Sequence, residues 1–111
     1  MSTESVLMQH VQALVSRNLD SVMADFTDDS VVFSPMGAFK GLENIRGFFA
    51  AALGMLPPDS LNNLKLIKQD IDGEYAYVLW SATPAMPFAG DLFHIRDGKI
   101  VMQSTVFQSG G

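Results

Sequence analysis

The sequence has no cysteine, which removes disulfide frameworks, thiol nucleophiles and cysteine-based zinc or iron–sulfur sites together. Basic residues are few: 7 Lys+Arg against 12 Asp+Glu give a net charge of −5, and no run of Lys or Arg occurs. Affinity for nucleic acid comes chiefly from displacing counterions with basic side chains, so DNA and RNA are poor partners for this chain. No apolar stretch reaches the roughly 20 residues that a bilayer span requires, and Met1-Ser-Thr-Glu-Ser-Val6 lacks the basic segment of a secretory leader. The expectation is a cytoplasmic protein without membrane contact. Gly-rich phosphate loops are missing, and the two histidines, His10 and His94, stand far from any metal-ligand spacing. No metal and no cofactor are expected.

What is present is an apolar chain, 48% hydrophobic and 17% charged over 111 residues. That composition buries roughly two-thirds of the unfolded surface and fits one compact domain spanning residues 1–111. The only loop-rich interior stretch, Gly54 to Ser60, divides two differently patterned halves. Before it, Leu7, Val11, Leu14 and Val15 recur at helical spacing and predict a helix over about Thr3 to Ser16. Asn18 is a candidate N-cap for a second helix carrying Leu19, Val22, Met23 and Phe26 and ending near Phe26. Ser30-Val-Val-Phe-Ser34 reads as a strand stopped by Pro35 and Gly37. Leu42, Ile45, Phe49 and Leu53 mark a third helix between Gly41 and Gly54.

From Leu61 onward the period changes to two, with strands expected near 61–72, 75–83, 89–96 and 99–107. Asp72-Gly73 and Asp97-Gly98 both offer the Asx-Gly pair that type I′ hairpin turns demand. The simplest topology is an antiparallel meander. Helices first and a curved sheet last make an α+β plan in which the sheet folds over the helices.

Alternation around Asp97-Gly98 puts Asp91, Phe93 and Ile95 on one face of the last hairpin and Leu92, His94 and Arg96 on the other. A two-residue loop pairs Arg96 with Lys99, Phe93 with Met102 and Asp91 with Ser104, so the Asp91 face carries Ile100, Met102 and Val106. A carboxylate among such neighbours loses hydration in its charged form; its pKa rises, and once protonated it donates a hydrogen bond. The competing reading has Asp91 capping backbone N–H groups or reaching water at the sheet edge. His10 lies on the flank of the first helix's buried stripe, where a histidine is more often a satisfied boundary residue than a catalyst. His94 suits a solvated or subunit-contacting face. Ser34, His10 and Asp91 compose a Ser–His–Asp triad on paper, yet no Gly-x-Ser-x-Gly elbow surrounds the serine. Asp28, Asp29, Asp70 and Asp72 read as turn and strand-end carboxylates. Trp80, Tyr75, Tyr77, Phe48, Phe88 and the seven methionines suit either a cavity wall or plain core.

Four strings, Leu19–Phe26, Asp28–Pro35, Gly41–Phe49 and Asp91–Val101, together with the order of elements, resemble the SnoaL-like and ketosteroid-isomerase-like branch of the nuclear-transport-factor-2-like superfamily. The resemblance covers nearly the whole chain. It implies a cystatin-like α+β roll: a cone of strongly curved, mostly antiparallel sheet around three N-terminal helices, with an apolar pocket inside and a homodimer formed through the outer sheet face. In the isomerase branch a base aspartate ends the first strand, while a helix-one tyrosine and a protonated aspartate on the penultimate strand form an oxyanion hole. By resemblance these positions fall on Ser34, His10 and Asp91, and only the last keeps its residue type. The cyclase branch's final-strand acid falls on Thr105. Losing a positioned base costs ~10²–10⁴-fold, so the familiar isomerisation route is not expected.

The reading that results is a domain binding a small apolar carbonyl or phenol compound. Asp91 and His10 are its catalytic candidates for acid–base isomerisation, cyclisation or dehydration. Ser34, Phe93, Met102, Ser104 and Trp80 are its ligand-binding candidates. The rival, from a different class, is a non-catalytic dimerisation or accessory module with a vestigial pocket, and the missing bases favour it.

Overall fold

Ser2 and Asn18 start the first two helices by the same device. In each, a side-chain oxygen accepts a backbone N–H that has no helical partner: Ser2 Oγ from Ser5 N, and Asn18 Oδ1 from Ser21 N. In this computed structural model, which describes residues 2–57 and 59–108, α1 spans Thr3–Val15 and α2 Leu19–Met23. The second helix therefore stops short of Phe26. The chain leaves it at Ala24, where Asp25 N and Phe26 N bond to Val22 O and Met23 O in tighter turns, and both side chains end up buried.

Strand β1 (Val31–Ser34) is followed by one the sequence reading lacked, β2 (Gly37–Lys40). Four residues are too few to show a period, and Pro35-Met36 forms a hairpin turn rather than a stop, with Ser34 paired to Gly37 at a φ of 125°. Helix α3 (Leu42–Met55) begins after Gly41, and Asp28 Oδ1 caps it from a distance by accepting Leu42 N at 3.2 Å. A 3₁₀ turn, Ser60–Asn63, leads into β3 (Leu64–Asp72), β4 (Tyr75–Ala82), β5 (Met86–Arg96) and β6 (Lys99–Gln108). The strand order is β2-β1-β6-β5-β4-β3, antiparallel throughout except where β1 runs parallel to β6. Three helices on a six-stranded mixed sheet give the expected α+β cone.

Asp97 and Gly98 both take positive φ, 53° and 76°, as a type I′ turn requires. The other hairpin differs from expectation. Asp72 pairs with Tyr75, so Gly73 and Glu74 form the loop, and of the two only Gly73 has positive φ.

The larger correction concerns register. Arg96 pairs with Lys99 and Ile95 with Ile100, but His94 then pairs with Met102, leaving Val101 as an extra residue. Beyond this bulge Phe93 faces Gln103 and Asp91 faces Thr105. Met102 and Ser104, expected beside Phe93 and Asp91, are thus turned to the opposite face. Ser104 joins the cross-strand row Phe33–Ser104–Leu92–Tyr77, and Met102 the row Val31–Met102–His94–Tyr75.

The core fills the space between the helices and the inner sheet face, with Val6, Leu7, Val22, Ile45, Phe93 and Ile100 essentially inaccessible. Ile100 is also where β6 is anchored. Its carbonyl accepts Ser30 Oγ at 2.6 Å, its N–H donates to Asp25 O at 2.7 Å, and neighbouring Lys99 Nζ donates to Ala24 O. Deleting a buried aliphatic side chain removes its transfer energy and leaves a cavity. Ile100→Ala is expected to cost about 2–5 kcal/mol in urea unfolding, and a loss within the range of exposed substitutions would remove Ile100 from this anchoring role.

Candidate functional site

Four strands supply one wall of a cavity: Leu64 and Leu66 from β3, Val78 and Trp80 from β4, Asp91 and Phe93 from β5, Gln103, Thr105 and Phe107 from β6. The opposite wall is helical, with Leu7, His10, Val11 and Leu14 from α1 and Phe48, Phe49, Ala52 and Leu53 from α3. The cavity has a volume of about 90 Å³, several times the roughly 10–15 Å³ that one water needs. Its lining is almost wholly apolar, and among the described residues neither Lys nor Arg reaches it.

Asp91 is the ionisable side chain of the sheet wall among the described residues, and it is 8% exposed. Trp80 Nε1 donates to its Oδ2 at 3.0 Å, whereas Oδ1 is buried without a partner. Burial pushes the carboxyl up to about 6, against the opposing pull of the Thr105 hydroxyl and the Trp80 N–H. Asp91 therefore holds or loses its proton close to neutrality. Gln103 Oε1, on the same wall, is likewise buried and unpaired.

His10 points inward, 1% exposed, enclosed by the rings of Phe26, Phe49 and Phe93 at 5.8, 5.8 and 5.4 Å, all edge-to-face. Neither ring nitrogen has a hydrogen-bond partner. Burial pulls its pKa down to about 4, so the imidazole is neutral at pH 7. Its Nδ1 lies 4.0 Å from Oδ2 of Asp25, too far for a hydrogen bond. Asp25, pushed up to about 6 by burial with Lys99 acting the other way, was missed in the sequence. An acid three residues after Val22 on the stripe Leu19–Phe26 was the available signal. Gln103 had no such signal, because the bulge alone turns it inward.

The structure brings His10, Asp91, Trp80 and Phe93 to one cavity. Ser34 lies elsewhere: its Oγ donates to Gly37 O at 3.0 Å and accepts Met36 N at 3.1 Å, the bonds of a turn serine. Met102 and Ser104 are on the outer face, moved there by the bulge at Val101. His94 is outside too, stacked on Tyr75 at 4.6 Å and bonded to Glu74, which Arg96 and His94 hold below the usual glutamate range. Among the described residues no three His, Asp or Glu side chains gather as metal ligands, and no helix is long and apolar enough to cross a membrane.

Residues 7–103 match the SnoaL-like domain, and the chain belongs to that family. Solved structures of the same fold include a SnoaL-like protein of unknown function from Burkholderia thailandensis, with 18% identity and a TM-score of 0.80 over 96% of this chain and 95% of that one. A provisionally assigned polyketide cyclase from Sinorhizobium meliloti aligns at 20% identity and TM-score 0.75, covering 91% and 93%. A provisionally assigned ketosteroid isomerase from Kribbella flavida aligns at 15% and 0.73, covering 98% and 79%. No curated protein matches the chain. At these identities the likeness shows the fold, and activity has to be argued from the site.

A buried carboxylate whose folded pKa lies above its unfolded value destabilises the folded state once it ionises. Stability contributed by the protonated form is present below about pH 4 and is lost as pH rises through about 6. Asp91→Asn keeps the shape and removes the charge, so it should stabilise the protein at pH 8 by up to about 3 kcal/mol. The gain should shrink toward zero at pH 4. Thermal melts of both proteins across this range check it; a difference independent of pH would mean that Asp91 is solvated.

Proposed function

We propose that this chain binds a small, largely apolar molecule carrying one carbonyl or phenol oxygen, which is held at Asp91. The observation that supports this best is the unpaired Oδ1 of Asp91, buried in an apolar cavity larger than a water site and with no cation beside it. A buried acceptor without a partner costs about 1–3 kcal/mol, a cost a ligand hydroxyl would remove. A carbonyl would be bound by the protonated acid. His10 is the second contact, as hydrogen-bond donor or acceptor; with its basicity cut to about 4, it is a poor proton abstractor at pH 7.

The chemistry open to such a site is acid–base, with Asp91 giving or taking the proton, and isomerisation, cyclisation or dehydration beside a carbonyl are the reactions it suits. Two of the similar structures carry cyclase and isomerase assignments. The positions the resemblance gives to a base hold Ser34, which is engaged in a turn, and Thr105. Binding is therefore the primary reading and turnover the secondary one.

Two copies are proposed to pair through the outer sheet face. Phe33, Tyr77 and Leu92, exposed by 48%, 43% and 38%, lie in one cross-strand row, and Val106 beside them is 61% exposed. Contiguous apolar surface of this kind marks contact with another protein. Leu92→Glu should convert a dimer to a monomer in sedimentation equilibrium while leaving the melting curve of the monomer cooperative. A wild-type monomer, or a variant dimer, would refute the pairing.

Ligand binding is tested by thermal shift and calorimetry with phenols and enones against wild type and Asp91→Asn. A ligand at 100 times its dissociation constant adds about 2.7 kcal/mol to stability, and Asp91→Asn should lose most of this. The pH dependence identifies the bound form. A phenol donating to ionised Asp91 should bind on a plateau above about pH 6 and weaken about tenfold per unit below it. A ketone accepting from protonated Asp91 should weaken as pH rises through about 6. No stabilisation by either class leaves the accessory-module reading.

A further inference from the structure

We propose that the binding site continues past the Asp91 cavity into an outer hollow, which takes the apolar tail or second ring of the ligand. This rests on the ligand reading above. The cavity's 90 Å³ is less than the roughly 150 Å³ of an apolar cavity that accepts benzene. A molecule anchored at Asp91 therefore fits only its polar group and nearest carbons inside, and the rest of it must lie elsewhere.

An outer hollow of about 440 Å³ lies against the cavity. Together the two fall within the roughly 300–1,000 Å³ typical of small-molecule sites, a range the inner cavity alone does not reach. Phe48, Ala52, Leu56, Met86 and Phe107 line both spaces, so a single layer of side chains separates them. Met86 is unbranched and half-buried, the kind of side chain that changes rotamer without backbone movement. The outer rim carries Met36 and Met55, 59% and 76% exposed, flanked by Pro35 and Pro57. Exposed methionines beside an apolar hollow adapt readily to hydrocarbon. Among the described residues, no side chain lining the outer hollow offers a hydrogen-bonding N–H, O–H or carboxylate. The ligand class is thus an amphiphile: one hydroxyl or carbonyl at the end that meets Asp91, and an apolar body longer than a single ring.

Calorimetric titration of a para-alkylphenol series, from methyl to octyl, tests this on wild type, Met36→Glu and Met55→Glu. Burying each added CH₂ in the outer hollow should tighten binding roughly threefold to fourfold in wild type. In each Glu variant the loss relative to wild type should grow with chain length. Both positions are exposed, ligand-free melts establish that the variants are folded, and Met55→Gln gives the same comparison with a milder change. If para-methylphenol binds wild type but longer chains gain nothing, or the variants keep the wild-type slope, the outer subsite is overturned and the ligand reading stands. If no member of the series binds wild type, both are overturned.

Discussion

One extra residue in β6 decides which side chains the two faces of the sheet receive. Ile100 is held at both its backbone groups, by Ser30 and by Asp25, and the Asp97-Gly98 turn fixes where β6 leaves β5. With its start pinned, the strand takes up Val101 as a bulge rather than by sliding. Every residue beyond Val101 owes its face to that choice. Gln103, Thr105 and Phe107 turn inward, so Asp91 faces a threonine, with an amide nearby. Met102, Ser104 and Val106 turn outward and complete the apolar rows of the outer sheet. The cavity chemistry and the proposed pairing surface are thus two consequences of one local irregularity.

The electrostatics of the interior follow from what the cavity excludes. Lys99, whose charge acts on Asp25, is drawn to the carbonyl of Ala24, and among the described residues no basic side chain reaches the cavity wall. Asp91 consequently ionises against burial with no cation beside it, the Thr105 hydroxyl and the Trp80 N–H alone acting the other way. His10 and Asp25 do not form an ion pair, because separating charge between them in an apolar surround would cost more desolvation than a 4.0 Å contact returns. The imidazole stays neutral, and its ring packs as a fourth aromatic among three phenylalanines.

Much of this was legible in the sequence where local chemistry acts alone. The Asn18 cap, the stripe Leu7–Leu14 and the Asp97-Gly98 turn are each set by residues close in sequence, and their elements begin where the spacing put them. Asp91 facing inward with Phe93 followed from alternation within a single strand. The features that escaped depend on distant partners. β2 exists because β1 offers it an edge, and the register of β6 depends on anchors at Asp25 and Ser30. Met102 and Ser104 were assigned to the wrong face for that reason, and Gln103 was overlooked for the same one. Asp25 turns inward only because α2 ends two residues before it.

An acid without a separate base is not chemically idle. Burial raises the Asp91 carboxyl to about 6, so a proton can be held or released there close to neutrality. Such a group can accept a proton from one ligand atom and return it to another, needing no partner, provided both atoms come within hydrogen-bond reach of the same oxygen. Oδ2 already accepts the Trp80 N–H, and Oδ1 is the oxygen without a partner in the structure. For the proposed ligand, its own geometry, more than any further protein residue, would decide between simple retention and proton transfer. That is why His10, neutral and weakly basic, is better suited to orienting a ligand oxygen than to competing with Asp91 for its proton.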